Sequence, residues 1–344
     1  SRTFEKFLKN REIIASRTRD RYSNSKYPDQ GFLAGSGFEG KPFDSNNGDI
    51  ALNSADVLIP AFLAAYTGKD PNSIKLTPFP DISSLLPNWL ISYNLMKLFP
   101  PLGDYMQSFT LTHQYLSQYR VGSFESYMSW VSLGDGSDLG YVRDAVSGAP
   151  IPSTVFNISS ASIQESFNPL IEARGVWDNN LGIHLRINKS RALNLNIASF
   201  QIVETNDLDI VTGLGYRITN FNRIIGFGSN SAQKKRRPPS ENRIEGDMQP
   251  EKTSIFSNDL NLRLDISRKT THALIRKIEE EFTQATSGIR TTTISFSADY
   301  SVSRAITLRA FFDKMVNRPL VSSGSYATST TSAGISLRFN MEEY

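Results

Sequence analysis

Cysteine is absent from the 344 residues, which removes disulfides, thiol catalysis and thiolate metal sites together and leaves the compartment open. Long apolar runs are absent too. A membrane-crossing helix needs about 18 or more consecutive apolar residues, and the longest apolar stretch, around Ala55 to Tyr66, is too short and is interrupted by Pro60. Charge is not lopsided: 37 basic and 34 acidic residues leave a net charge of +3. A nucleic-acid binder concentrates basic charge far more strongly, so no nucleic-acid partner is expected. Histidine is scarce. His113, His184 and His272 lie far apart with no HExxH-type spacing, and neither a triad nor a zinc centre is expected from them. The chain starts at Ser1 with no Met and no charged-then-apolar leader. It is therefore expected to be the later part of a longer polypeptide.

Motifs that would carry chemistry fail on inspection. Ala64 to Asp70 has the look of a phosphate loop, but Leu63 stands where the first Gly is required and Asp70 where Ser or Thr would hold magnesium. Glu279, Glu280 and Glu281 are adjacent, and neighbouring residues of a strand point to opposite faces, so they do not form a paired-carboxylate site. Gly226-Phe227-Gly228 is followed by no helix pattern. Lys234 to Arg237 has no interleaved aromatics for base stacking and reads as a solvated loop. No catalytic residue, metal ligand or cofactor site is assigned, and no enzyme activity is expected.

What the sequence does have is aromatic residues, 11% on a chain that is only 39% hydrophobic with a mean hydropathy of −0.31. A transmembrane barrel produces that pairing, because half of each strand faces lipid and half faces water; a soluble sandwich can match the totals. Phe4, Phe7, Leu8, Arg11 and Ile14 have near-helical spacing and predict a short amphipathic helix over 3–20. Residues 22–53 show no period and are predicted irregular, packed against something or functional given their length. Ala55 to Tyr66 predicts a second short helix or a non-spanning insert inside a lumen.

From Pro87 onward the period is two. Trp89, Ile91, Tyr93 and Leu95 alternate with polar or smaller residues, as do Phe109 to Ser117, Leu181 to Ile187, Leu193 to Ile197, Leu260 to Ile266, Ile294 to Tyr300 and Ile335 to Met341. These segments run to about ten residues or more, whereas strands of globular proteins average about five or six and a tilted bilayer-crossing strand needs about 9–11. With turns at Asp178-Asn179-Asn180, Lys189-Ser190-Arg191 and Ser303-Arg304, about a dozen strands are predicted, mostly as hairpins. Short turns are expected on the periplasmic side and longer connections outside. Residues 134–153 and 229–255 are predicted to be mobile loops.

Several blocks bear a resemblance that periodicity alone does not supply. Asp56 to Asp70 (DVLIPAFLAAYTGKD), Pro87-Asn88-Trp89, Thr110 to His113, Ser166 to Leu170, Ile275 to Glu279, Val316 to Pro319, Ser322-Ser323 and Gly334 to Phe339 resemble, in order, the C-terminal part of the SprA/Sov family. These are the outer-membrane translocons of gliding motility and type IX secretion in Bacteroidota. The resemblance covers about residues 50 to 340 and leaves out the two long loops. It implies a single-chain barrel of exceptional size whose pore passes folded cargo to the cell surface. It also implies a smaller PorV-type barrel, a periplasmic plug and other periplasmic accessory proteins as partners, and no cofactor.

The expected fold is therefore all-β: a transmembrane antiparallel β-barrel segment, one arc of a very large wall over 86–344, preceded by a non-wall region over 1–85. Its other partners would be the lipid bilayer and the N-terminal barrel strands of its own polypeptide. Val57, Leu58, Ile59, Pro60, Phe62, Leu63 and Tyr66 form the candidate site, a segment within the lumen or at its rim that shapes the gate; a cap against the barrel base is the plainer alternative. Competing readings are a passive or ligand-specific outer-membrane channel and a soluble surface β-protein such as an adhesin. Strand length weighs against the last of these.

Overall fold

The computed structural model describes residues 2–29, 33–43, 52–79, 87–133, 139–221, 258–303, 305–321 and 326–339. Two helices precede the strands, α1 (Arg2–Ser23) and α2 (Ala55–Thr67), within a few residues of the predicted limits. Along α1, Phe4, Phe7, Ile14, Ala15, Thr18 and Tyr22 are buried, the single stripe that a period of 3.6 generates. In α2 every residue from Val57 to Tyr66 is buried, as expected of a helix that is apolar all round. Gly68 closes it in the left-handed conformation, φ 76°, where a residue with a Cβ is strained. Among the described residues no helix is long and apolar enough to cross a membrane.

The main sheet has nine strands, antiparallel and not closed: β1 (Trp89–Asn94), β2 (Met106–Ser126), β6 (Phe156–Trp177), β7 (Leu181–Asn196), β8 (Gln201–Ile218), β9 (Leu260–Lys277), β10 (Phe282–Ser301), β11 (Ile306–Pro319) and β12 (Thr328–Phe339), in that order. A second, three-stranded sheet joins β3 (Val131–Ser132), β4 (Gly140–Arg143) and β5 (Pro150–Ser153). Strands β2 and β6 to β10 are 16 to 22 residues long. At about 3.3 Å per residue they greatly exceed the reach of a bilayer crossing.

Three expectations change. Lys189-Ser190-Arg191 is not a turn but the middle of β7, paired without a break to β8. The phase of Leu181 to Ile187 continues through Lys189 and Arg191 into Leu193 and Leu195, so charged residues had been mistaken for an interruption. Within 134–153, the described part (139–153) is largely the small sheet, anchored by buried Leu139 and Tyr141; 134–138 lie outside the described residues, as does the whole of 229–255. Connection length also fails to sort the two ends of the sheet. One end carries 127–155 beside the short turns 197–200 and 278–281; the other carries 95–105 and 219–259 beside 178–180 and 302–305.

A single core joins the N-terminal region to the strands. Val57, Leu58, Phe62 and Leu63 of α2 and Phe4, Phe7 and Ile14 of α1 cluster with Ile158, Ala161, Ile163, Leu193, Leu195 and Ile202 of the sheet. The irregular segment after α1 belongs to it. The Tyr27 ring lies tilted 55° against Tyr141 at 4.8 Å, Phe43 lies against Tyr22 and Tyr27, and Tyr22 donates its hydroxyl hydrogen to the Gly140 carbonyl at 2.9 Å. Leu195 is fully buried in this cluster, so Leu195→Ala should destabilise the docked helices by about 2–5 kcal/mol. Amide hydrogen exchange along α2 should accelerate accordingly, while exchange in β10 to β12 stays unchanged.

Candidate functional site

The site is the sheet itself, whose register assigns each side chain to one of two faces. On face A, the rows running across the strands are Leu181, Tyr216, Leu262, Ala298, Ala310 and Ile335; then Ile183, Leu214, Leu264, Phe296, Phe312 and Ala333. Beyond the first row lie Ile218, Leu260, Tyr300, Leu308 and Leu337. On the other flank Phe109, Leu111, Ala173 and Ile171 continue the same face to Tyr93, Ile91 and Trp89 of the edge strand. The result is an apolar belt that runs across all nine strands. It is uncovered: Leu214 is 42% exposed, Ile266 44%, Phe296 40% and Leu337 52%. Trp177 and Tyr300 stand along one margin of the belt, at the strand ends remote from the helices, with Tyr216 one row inside Ile218.

Face B is mainly polar over the same span, with Val176, Val211, Phe311 and Met315 among its charged and hydroxyl-bearing residues. Glu172 accepts from Arg174 at 2.8 Å and Arg186 at 2.9 Å, and its Oε1 lies 3.1 Å from His184 Nε2. Asp207 pairs with Ser190 and Thr271, Asp209 with Asn188, Arg263 with Asp265 at 2.5 Å and Arg309 with Asp299 at 3.6 Å. Three hollows of 410, 730 and 340 Å³ lie on this face, lined by Arg263, Asp265, Arg186, Asp207, Asp209 and their neighbours. Face B is thus both charged and recessed. A wetted surface can carry such groups; an apolar core cannot do so cheaply.

The seven predicted site residues, Val57, Leu58, Ile59, Pro60, Phe62, Leu63 and Tyr66, do come together, all within one helix and all buried. They pack on face A, the face of the belt. Arg191 of face A lies over the Tyr66 ring at 5.9 Å, and Arg276 of the same face over the Phe4 ring at 5.5 Å. Both cations are paired, Arg191 with Glu165 and Arg276 with Glu204 at 2.7 Å. Sequence reasoning identified the alternation but not which face α2 packs against, because face continuity across strands depends on register.

The three histidines are not brought together. His184 joins the Glu172 cluster, His113 Nδ1 lies 2.6 Å from the Leu170 carbonyl, and His272 lies on face A of β9. Asp56, at the start of α2, accepts a hydrogen bond from the Thr154 amide at 3.1 Å. Burial pushes its carboxyl up to about 6 and, together with the nearby Asp56 charge, raises the Tyr22 hydroxyl. No known protein family matches this chain, and no curated protein matches it.

The Asp56 carboxyl titrates higher in the folded chain than in the unfolded one, so the fold holds that proton more tightly. Its contribution to stability is therefore greatest below about pH 4 and declines as pH rises toward 6. The rise from the ordinary carboxylate range to about 6 corresponds to about 3 kcal/mol over that range. Asp56→Asn, which keeps an acceptor for Thr154, should gain about that much relative to the wild type between pH 4 and pH 7. Thermal melting across that range measures it, and an unchanged difference at both ends would refute it.

Proposed function

We propose that this chain forms an arc of the wall of a large outer-membrane barrel, with face A toward lipid and face B toward an aqueous lumen. The observation that carries the proposal is the uncovered apolar belt across the nine-stranded sheet, most of whose strands are 12 to 22 residues long, backed on the other face by paired charges. Transmembrane barrels are built this way, with an apolar band, aromatic girdles and a polar interior. On this assignment α1 and α2 clothe the outer surface of the wall beyond the bilayer, in place of the gate expected from sequence.

Strand parity supports an arc over a complete small barrel. With nine antiparallel strands, β1 and β12 run in the same direction, so joining them would make a parallel seam. Bacterial single-chain barrels are even-numbered and antiparallel, and an odd number of further strands would restore that pattern. Both edges also carry unpaired backbone groups, each costing several kcal/mol in lipid. A self-contained porin or nutrient-receptor barrel made from this chain alone is correspondingly disfavoured.

The resemblance to the type IX secretion translocons narrows the reading to a protein-conducting channel that passes folded cargo. Barrels of up to about 36 strands are known, and only large barrels leave an open lumen. Under this reading the wall is completed by strands elsewhere in the same polypeptide, and a PorV-type barrel, a periplasmic plug and accessory proteins bind the assembly. Purification of the full-length protein from outer membranes in mild detergent should recover it with a second barrel or a plug. Recovery of a stable small barrel alone would refute the translocon reading.

The face assignment has its own test. Leu264→Arg, at the centre of the belt, should cost about 2–4 kcal/mol in a bilayer and prevent assembly. Ser295→Arg on face B, between Asp265 and Asp313, should be tolerated. Heat-modifiable migration after reconstitution reads both. Equal effects at the two positions would refute the assignment.

A further inference from the structure

Acidic residues are absent from face A of β9 to β12. The carboxylates of these strands, Asp265, Asp299 and Asp313, all lie on face B. Face A instead holds Arg268, Arg290, Lys314 and Arg318 where the belt ends toward the helices. Arg290 stands directly opposite Arg318 across the β10–β11 pair, Lys314 opposite Ile294, and Arg268 on β9 opposite Thr292, the next face-A position after Arg290. Facing like charges destabilise a sheet, yet none of these four cations makes an ion pair among the described residues. Arg290 Nε is moreover a buried donor without a hydrogen-bond acceptor, a costly state that a ligand oxygen would relieve. Elsewhere on face A, Arg191 pairs with Glu165 and Arg276 with Glu204, while Lys189, in the row of Arg290 and Arg318, has no ion pair among the described residues.

Directly beside the cluster lie Ile266, Ile294 and Phe312, the last apolar positions of the belt. A ligand that satisfies both must be anionic at its head and apolar along its length. Guanidinium groups present forked donors matched to phosphate oxygens, and basic clusters at a membrane margin attract anionic lipid. We propose that Arg268, Arg290, Lys314 and Arg318 form a binding site for a lipid with an anionic phosphate headgroup, whose acyl chains lie along the belt at Ile266, Ile294 and Phe312. The proposal rests on the membrane assignment of face A and adds to it a preferred lipid class and a location.

The test uses the full-length protein reconstituted into phosphatidylcholine bilayers, with and without phosphatidylglycerol. Lipids retained after extraction are quantified by mass spectrometry. The wild type should enrich phosphatidylglycerol over its share of the bilayer. Arg290→Gln with Arg318→Gln should reduce that enrichment by about tenfold or more, at roughly 1 kcal/mol per basic residue. Lys269→Gln with Arg309→Gln, which removes equal charge from face B, should leave it intact. Removing facing like charges should not impair folding, and Arg318→Gln alone supplies a milder variant with a partial loss. Insertion without enrichment, or equal losses from both double variants, would overturn the lipid site while leaving the membrane assignment standing. Failure to insert into either bilayer would overturn both.

Discussion

Because side chains alternate with a period of two, a one-residue slip between any two long strands would exchange the faces of everything beyond it. The belt and the polar face therefore depend on lateral register before any side-chain chemistry matters. The irregularities in the sheet respect this constraint. The bulge between Phe167 and Ile171 inserts two extra residues relative to β7, so the phase of β6 is the same on both sides of it. Shifts by a single residue occur only between Met106 and Ser108 and between Ala285 and Ser287. The first lies at the margin of the belt, opposite Trp177, and the second toward the strand end beyond it. Through its middle, each strand from β7 to β12 keeps one uninterrupted phase, and nine strands act as two continuous surfaces.

This division explains how much was legible in the sequence. Each strand's alternation could be read from its own residues, as with Leu260 to Ile266 against Asn261, Arg263 and Asp265. Both helices could be read as well, one from its stripe and one from its uniform apolarity. Joining the faces could not be read, since pairing Ile294 with Ile266 and Lys314 is a fact of register between distant segments. The same limit hid the cationic cluster: Arg268, Arg290 and Arg318 are isolated in sequence and become neighbours only across strands. Lys189 and Arg191 misled for a related reason. Two charges in an apolar phase suggest a turn, but here one of them pairs with Glu165 and lies over Tyr66, which a single strand cannot reveal. The small sheet was missed because strands of two to four residues leave too little alternation to see.

The helices and the belt share face A but meet opposite needs. Near the helix-bearing end the sheet is covered by protein, and its cations are matched by Glu165 and Glu204. At the other end it is left bare, with no described element over Leu214, Leu264 or Phe296. An exposed apolar surface of this extent is unusual for a protein surrounded by water. Under the proposed reading a bilayer meets that half of the face. The polar seam of Glu165, Arg191, Asn206 and His272, one row across β6 to β9, separates the two regimes.

The geometry of the belt favours a bilayer. A flat partner would follow the rows of paired residues, whereas a membrane cuts a tilted barrel wall obliquely. The margin of the belt nearest the helices moves from Ile187 on β7 to Ala333 on β12, and Ala333 lies in the row of Ile183, four residues further along β7. That drift is about 13 Å along the strands over about 24 Å across them, using spacings of about 3.3 Å and 4.8 Å. The strands would therefore stand roughly 30° from the normal of a plane following the belt, close to the 35–45° of transmembrane barrels. The opposite margin drifts in the same sense, from Trp177 on β6 through Ile218, Leu260 and Tyr300 to Phe339. Apart from Leu208 and Val316, which lie beyond the helix-side margin, the two margins shift together as a band crossing inclined strands. Side-chain identity at single positions does not impose that pattern, whereas the proposed bilayer would.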